Sequence, residues 1–175
     1  QRVKHLFAPR AALFGSSRNM HLRRGKSPHS PCLMTVLYTH PSGFRHVTPP
    51  SHPERPSRLD AVMTALSDID LDRRDAPDAE DEDMLRCHPA TYLSLLRRKV
   101  PAEGWTMLDA DTYLSPGSLE AARHTVGGVC AAVDMVLAGQ APNAFVAMRP
   151  PGHHAERARP MGFCMLNSIA IGALR

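Results

Sequence analysis

Residues 149–168 read RPPGHHAERARPMGFCMLNS, with two adjacent histidines behind Pro-Pro-Gly and Gly-Phe-Cys within the next ten residues. Proline fixes φ and glycine admits a close or unusual backbone path, so these flanks hold His153 and His154 in a set geometry. Imidazole exchanges protons near neutrality. Side by side, one ring can serve as general base and acid while the other adjusts the local charge, and their titration then belongs to the pair. Three other readings compete on these residues alone. A bidentate metal site is disfavoured because neighbours on an extended chain point apart. A Cys164 nucleophile with a histidine partner is chemically sound, although an apolar-flanked cysteine more often packs in a core. The third is a rigid surface loop with no chemistry.

The surroundings of the motif favour an active role. Immediately upstream, NAFVAM (143–148) reads as a buried strand, which puts the histidines just past its C-terminal end. Open α/β sheets bind ligands there. Before that strand, Ala122, Val126, Val129, Cys130, Val133, Val136 and Leu137 form one face of a long helix, with Ser118 as its expected N-cap and Gly139 as its stop. MTVLYT (34–39) predicts a second buried strand, and Leu59, Val62, Met63 and Leu66 predict a helix opened by Pro56. Residues 67–83 hold nine of the seventeen acids and predict a solvated surface segment. His88, before Pro89 and another helical pattern, reads as a capping or packing histidine. CMLNSIAIGALR reads as the beginning of a helix that runs to Arg175 without a cap, and the expectation is a chain cut within that element. Strands thus alternate with helices along the chain, as they do in α/β folds.

At 175 residues, 43% hydrophobic and 22% charged, the sequence fits one domain. The net charge is +4. Seven basic residues and no acid lie in 1–33, leaving 14 basic against 17 acidic residues in 34–175. The basic balance thus belongs to the N-terminal segment, and nucleic acid is disfavoured as a partner. Residues 1–33 are expected to be a basic, disordered segment, either a presequence or a spurious extension; residues 34–175 are expected to be the domain. No apolar run reaches eighteen residues, so no membrane is expected. Cys32, Cys87, Cys130 and Cys164 are widely spaced without a CxxC pair, consistent with reduced thiols and a cytoplasmic protein.

RPPGHHAERARPMGFC, followed by an asparagine and a helix, resembles the signature of the histone deacetylase superfamily. It is most similar to class II and bacterial histone deacetylase-like amidohydrolases, acetylpolyamine amidohydrolases among them. YTHPSGFRHVTPPSHPERPSRL and DADTYLSPGSLEAARHTVGGVCAAVDMVLAG resemble other segments of the family in the same order. The resemblance covers about residue 34 to the end. It implies an arginase/deacetylase-like parallel sheet flanked by helices, truncated at its C-terminus. It also implies zinc-dependent hydrolysis of acetylated lysine or acetylpolyamine amides, in which zinc polarises the acyl carbonyl and activates water. By resemblance, His154 is the general base and acid and His153 its electrostatic partner. Gly162 and Phe163 line the acyl tunnel, and Asp111 holds the substrate at the rim. Arg58 lines a cavity beneath the site, and Gly152 supports the turn.

The resemblance places the zinc ligands in an Asp-x-His element and a later aspartate, both beyond the tandem histidines. No Asp-x-His occurs in these 175 residues. The expectation is therefore the N-terminal portion of a zinc amidohydrolase, inactive by itself and without metal ligands of its own. The alternative is a non-catalytic interaction module or pseudogene product that keeps the scaffold.

Overall fold

A computed structural model describes residues 34–175, so the expectations for residues 1–33 lie outside the described residues. Strand β1 (Val36–Thr39) is the centre of a three-stranded parallel sheet. Its side chains alternate between two faces, as strand geometry requires. Val36 and Tyr38 pack against Ala131, Ala132 and Met135, while Leu37 meets Leu59 and Ala147 on the opposite face. Both faces are covered, which is why MTVLYT reads as a continuous apolar run. The expected strand and the Pro56 helix are both present.

In chain order, α1 (Ser42–Arg45) and α2 (Pro56–Ala65) follow β1, and β2 (Asp72–Asp75) then pairs with it from Val36↔Asp72 to Thr39↔Asp75. Next come α3 (Asp81–Leu85), α4 (Ala90–Lys99), and the antiparallel hairpin of β3 (Thr106–Asp109) and β4 (Thr112–Leu114). Helix α5 (Ser118–Leu137) crosses the sheet and returns the chain to β5 (Ala144–Val146), which pairs with the other side of β1. Helix α6 (Ser168–Ala173) follows the histidine segment. A second core, away from the sheet, joins Met84, Tyr92, Leu93, Leu96, Leu114, Val126, Met165, Leu166 and Ile171, so the hairpin and α3 to α6 share one apolar centre.

Three expectations need correction. The acidic run 67–83 is more than a solvated segment, since it contains β2 and the start of α3. A charged strand at a sheet edge has no apolar alternation to reveal it, and its charge discourages further pairing. Arginines also dock on the run: Arg123 pairs with Asp78 and Asp81, Arg97 with Asp81, and Arg175 with the buried Asp83. Ser118 is the first residue of α5 rather than its N-cap, which is Gly117. The Ser118 hydroxyl instead accepts from the Ser115 backbone N–H and lies 2.7 Å from His46 Nδ1. Finally, β5 lies at the end of the sheet among the described residues, and Phe145 is 47% exposed rather than buried.

Candidate active site

The chain leaves β5 and reaches Arg149, whose guanidinium is buried in a web of acceptors. Its Nε donates to Glu54 Oε1 at 2.5 Å and its Nη2 to Glu54 Oε2, while Nη1 donates to the carbonyls of Gly43 (2.9 Å) and His46 (3.1 Å). His46 Nε2 lies 3.3 Å from Glu54 Oε2. Burial raises the Glu54 pKa, but the hydrogen bonds from His46 and Arg149 outweigh it and hold the carboxyl down at about 2. The start of the histidine segment is thus fastened to the loop before α2. Among the described residues, no buried side-chain nitrogen or oxygen is left without a partner.

Pro150 and Pro151 lead into Gly152, where the backbone presses on the beginning of α6. A Cβ on Gly152 would lie 2.2 Å from Ser168 Oγ and 2.8 Å from the Leu166 carbonyl, so only glycine fits. His153 and His154 follow, both exposed, with ring centroids 4.1 Å apart and planes tilted by 53°. Neither imidazole has a hydrogen-bond partner among the described residues. The His154 backbone N–H donates to Cys164 Sγ at 3.4 Å, and that thiol donates to the Gly162 carbonyl at 3.3 Å. Cys164 is fully buried, and burial raises its pKa. A buried thiol of this kind packs and is a poor nucleophile, which removes one competing reading of the motif.

Met161 and Cys164 exchange backbone hydrogen bonds of 3.1 and 3.0 Å around Gly162 and Phe163, whose φ values are +56° and +69°. Positive φ at both central residues is what a type I′ hairpin turn demands. Glycine adopts it freely, whereas Phe163 is held there by its contacts. Its N–H donates to Thr112 Oγ1 at 3.0 Å, and that buried hydroxyl donates to Asp111 Oδ1 at 3.1 Å. One threonine therefore joins Asp111 to Phe163. His52 braces the same corner, with Nε2 3.1 Å from the Asp111 carbonyl and its ring edge-on to Phe163 and Tyr113 at 5.0 and 5.3 Å.

Arg58, Asp111, Pro151, His153, His154, Gly162 and Phe163 line one open hollow of about 400 Å³. Six of the seven residues singled out from the sequence meet here, drawn from α2, the hairpin tip and the segment after β5. Gly152 lies beneath the turn. Arg58 is exposed and also lines a second hollow of about 200 Å³ with Glu54, Leu59, Phe145 and Arg149. An apolar hollow of about 570 Å³ is also lined in part by His153, together with Val136, Leu137, Phe145 and Ile169 among others. Glu54, Arg149, Thr112 and His52 were not identified from the sequence. Their partners are distant in the chain, and only the proline-bearing stretches HPER and RPP mark their positions in the sequence. Among the described residues, no three histidine, cysteine, aspartate or glutamate side chains are grouped to hold a metal ion. No described helix is long and apolar enough to cross a membrane.

The family model described as histone deacetylase domain matches residues 52–175. The chain is 43% identical over 120 residues to the histone deacetylase-like amidohydrolase of Pseudomonas aeruginosa, an alignment covering 68% of the chain and 31% of that protein. It is 35% identical over 130 residues to the polyamine deacetylase HDAC10 of Homo sapiens, covering 69% of the chain and 19% of that protein. The crystal structure of the HDA15 HD domain matches with a TM-score of 0.76 at 26% identity, covering 81% of this chain and 43% of that one. The chain thus spans less than half the length of each. A signature after a parallel strand, a hollow gathered around it and a family match over most of the chain converge on one assignment: the chain belongs to the histone deacetylase family.

Proposed function

We propose that the hollow is the acyl-amide side of a deacetylase active site, which in the whole protein removes acetyl or longer acyl groups from lysine side chains or polyamines. The observation that carries this reading is the meeting of the tandem histidines with Gly162, Phe163 and Asp111 in one open hollow. The flat wall of Gly162 and Phe163 suits an apolar acyl chain, and Asp111 offers a carboxylate to the amides of a bound substrate. His154 takes a proton from the attacking water as its oxygen bonds to the acyl carbon. It returns that proton to the nitrogen as the C–N bond breaks, giving a carboxylic acid and an amine, and the acid's remaining proton then passes to the amine to leave a carboxylate and an ammonium ion. His153, beside it, adjusts the charge of the pair.

Zinc dependence of the whole protein is part of the proposal. The donor set for zinc does not assemble among the described residues, so no step here runs through the metal. The 175-residue chain by itself is accordingly expected to be inactive. Hydrolysis of an acetyl-lysine peptide and of an acetylated diamine, assayed with the whole protein and with this chain, tests both statements. Turnover by the whole protein, abolished by chelation, is the expected result. Turnover by the 175-residue chain would overturn the second statement, and inertness of the whole protein toward both amides would overturn the first.

A further inference from the structure

His88 lies more than sixty residues before the tandem histidines and outside the hollow, at the start of α4. It is 1% exposed. Its ring touches the histidine segment at two backbone groups of opposite character. Nδ1 lies 2.9 Å from the Arg157 carbonyl, and Nε2 lies 2.9 Å from the Asn167 N–H. A carbonyl can only accept and an amide N–H can only donate, so one form of the ring satisfies both: neutral, with its proton on Nδ1. Burial, which lowers the His88 pKa, favours that same neutral form.

Asn167 carries the constraint back to the catalytic turn. Its side-chain Nδ2 donates to the Ala155 carbonyl at 2.7 Å, and its Oδ1 accepts from the Ala170 N–H at 2.9 Å, capping α6. Ala155 is buried and directly follows His154. Tyr92, four residues beyond His88 and packed on its ring at 5.2 Å, donates its hydroxyl to the Met165 carbonyl at 2.8 Å. His88, just ahead of α4, and Tyr92 in its first turn therefore grip the segment at Arg157, Met165 and Asn167. Within the segment, backbone hydrogen bonds close the turns Glu156–Arg159 and Met161–Cys164.

We propose that His88 is a positioning residue for the deacetylase reaction: as a single neutral tautomer it fixes Asn167, and through Asn167 and Ala155 it sets the orientation of His154. This rests on the proposed function for its relevance to catalysis, but its test needs no turnover. Two substitutions divide the ring's work. In His88→Gln the side-chain oxygen can replace Nε2 as acceptor for Asn167, whereas in His88→Asn the amide can replace Nδ1 as donor to Arg157.

The experiment is nitrogen-15 correlation spectroscopy of the ring nitrogens in the histidine-labelled chain, followed by the ring resonances of His154 in both variants. The expected results are a wild-type His88 protonated on Nδ1 alone, a His154 signal near its wild-type position in His88→Gln, and a displaced one in His88→Asn. A general loss of packing would move both variants together, and that result would overturn the proposal. So would a wild-type His88 protonated on Nε2, a measurement that decides the matter even if neither variant folds. An inactive whole protein with the expected ring spectra would condemn the proposed function and leave the positioning role standing, and an active one with the wrong tautomer would do the reverse.

Discussion

Glu54 and Arg149, ninety-five residues apart, share two side-chain hydrogen bonds inside the protein, and through them the loop before α2 holds the segment that presents the tandem histidines. Each residue is under 5% exposed. Removing one partner of such a pair leaves an uncompensated buried charge, whereas replacing both with apolar residues removes the charge and leaves only the Gly43 and His46 carbonyls and the His46 ring without these partners. Glu54→Gln is expected to destabilise the chain by about 3–5 kcal/mol in urea unfolding. The double substitution Glu54→Leu with Arg149→Met should recover part of that loss. A double variant no more stable than Glu54→Gln would contradict this account.

Acid should weaken the fold in two stages. His40, stacked on His124 with ring centroids 3.6 Å apart, and the buried His88 both have pKa values lowered below the ordinary 6.5, in each case chiefly by burial. The unfolded chain therefore takes up these protons first, and stability declines as pH falls below about 6.5. Glu54 has the opposite linkage. Its contribution is complete above its ordinary 4.5 and disappears as pH falls through about 2. Urea midpoints from pH 8 to 5 should decline toward acid, with a shallower slope in His88→Gln. A flat profile in the wild-type chain would refute the buried neutral histidines.

Gly162→Ala tests the wall of the hollow. A Cβ at this position would lie 2.9–3.0 Å from the His154 ring, and φ is already +56°. The left-handed conformation costs an alanine about 1–2 kcal/mol. Displacement of the ring should cost more in function, with kcat of the whole protein toward an acetyl-lysine peptide falling roughly 100-fold. Unchanged kcat in a folded variant would remove His154 from proton transfer.

The parts of the fold legible in the sequence are those where apolar periodicity matches burial. β1 was readable because both of its faces are covered, and α5 because its buried face repeats at helical spacing. β2 was hidden because DRRD at a sheet edge shows neither alternation nor apolar content. In the hollow, the residues carried by a long local motif were readable. Thr112, His52, Glu54 and Arg149 act through partners 51 to 106 residues away, and no short window of sequence displays such a pairing.

The central claim is that the turn bearing His153 and His154 performs proton transfer in acyl-amide hydrolysis. It is tested most directly by comparing kcat of the whole protein with that of its His154→Ala variant on an acetyl-lysine peptide and an acetylated diamine. A fall of about 10²- to 10⁴-fold in kcat is expected on whichever amide is the substrate, with the fold intact. Full activity in the folded variant would contradict it.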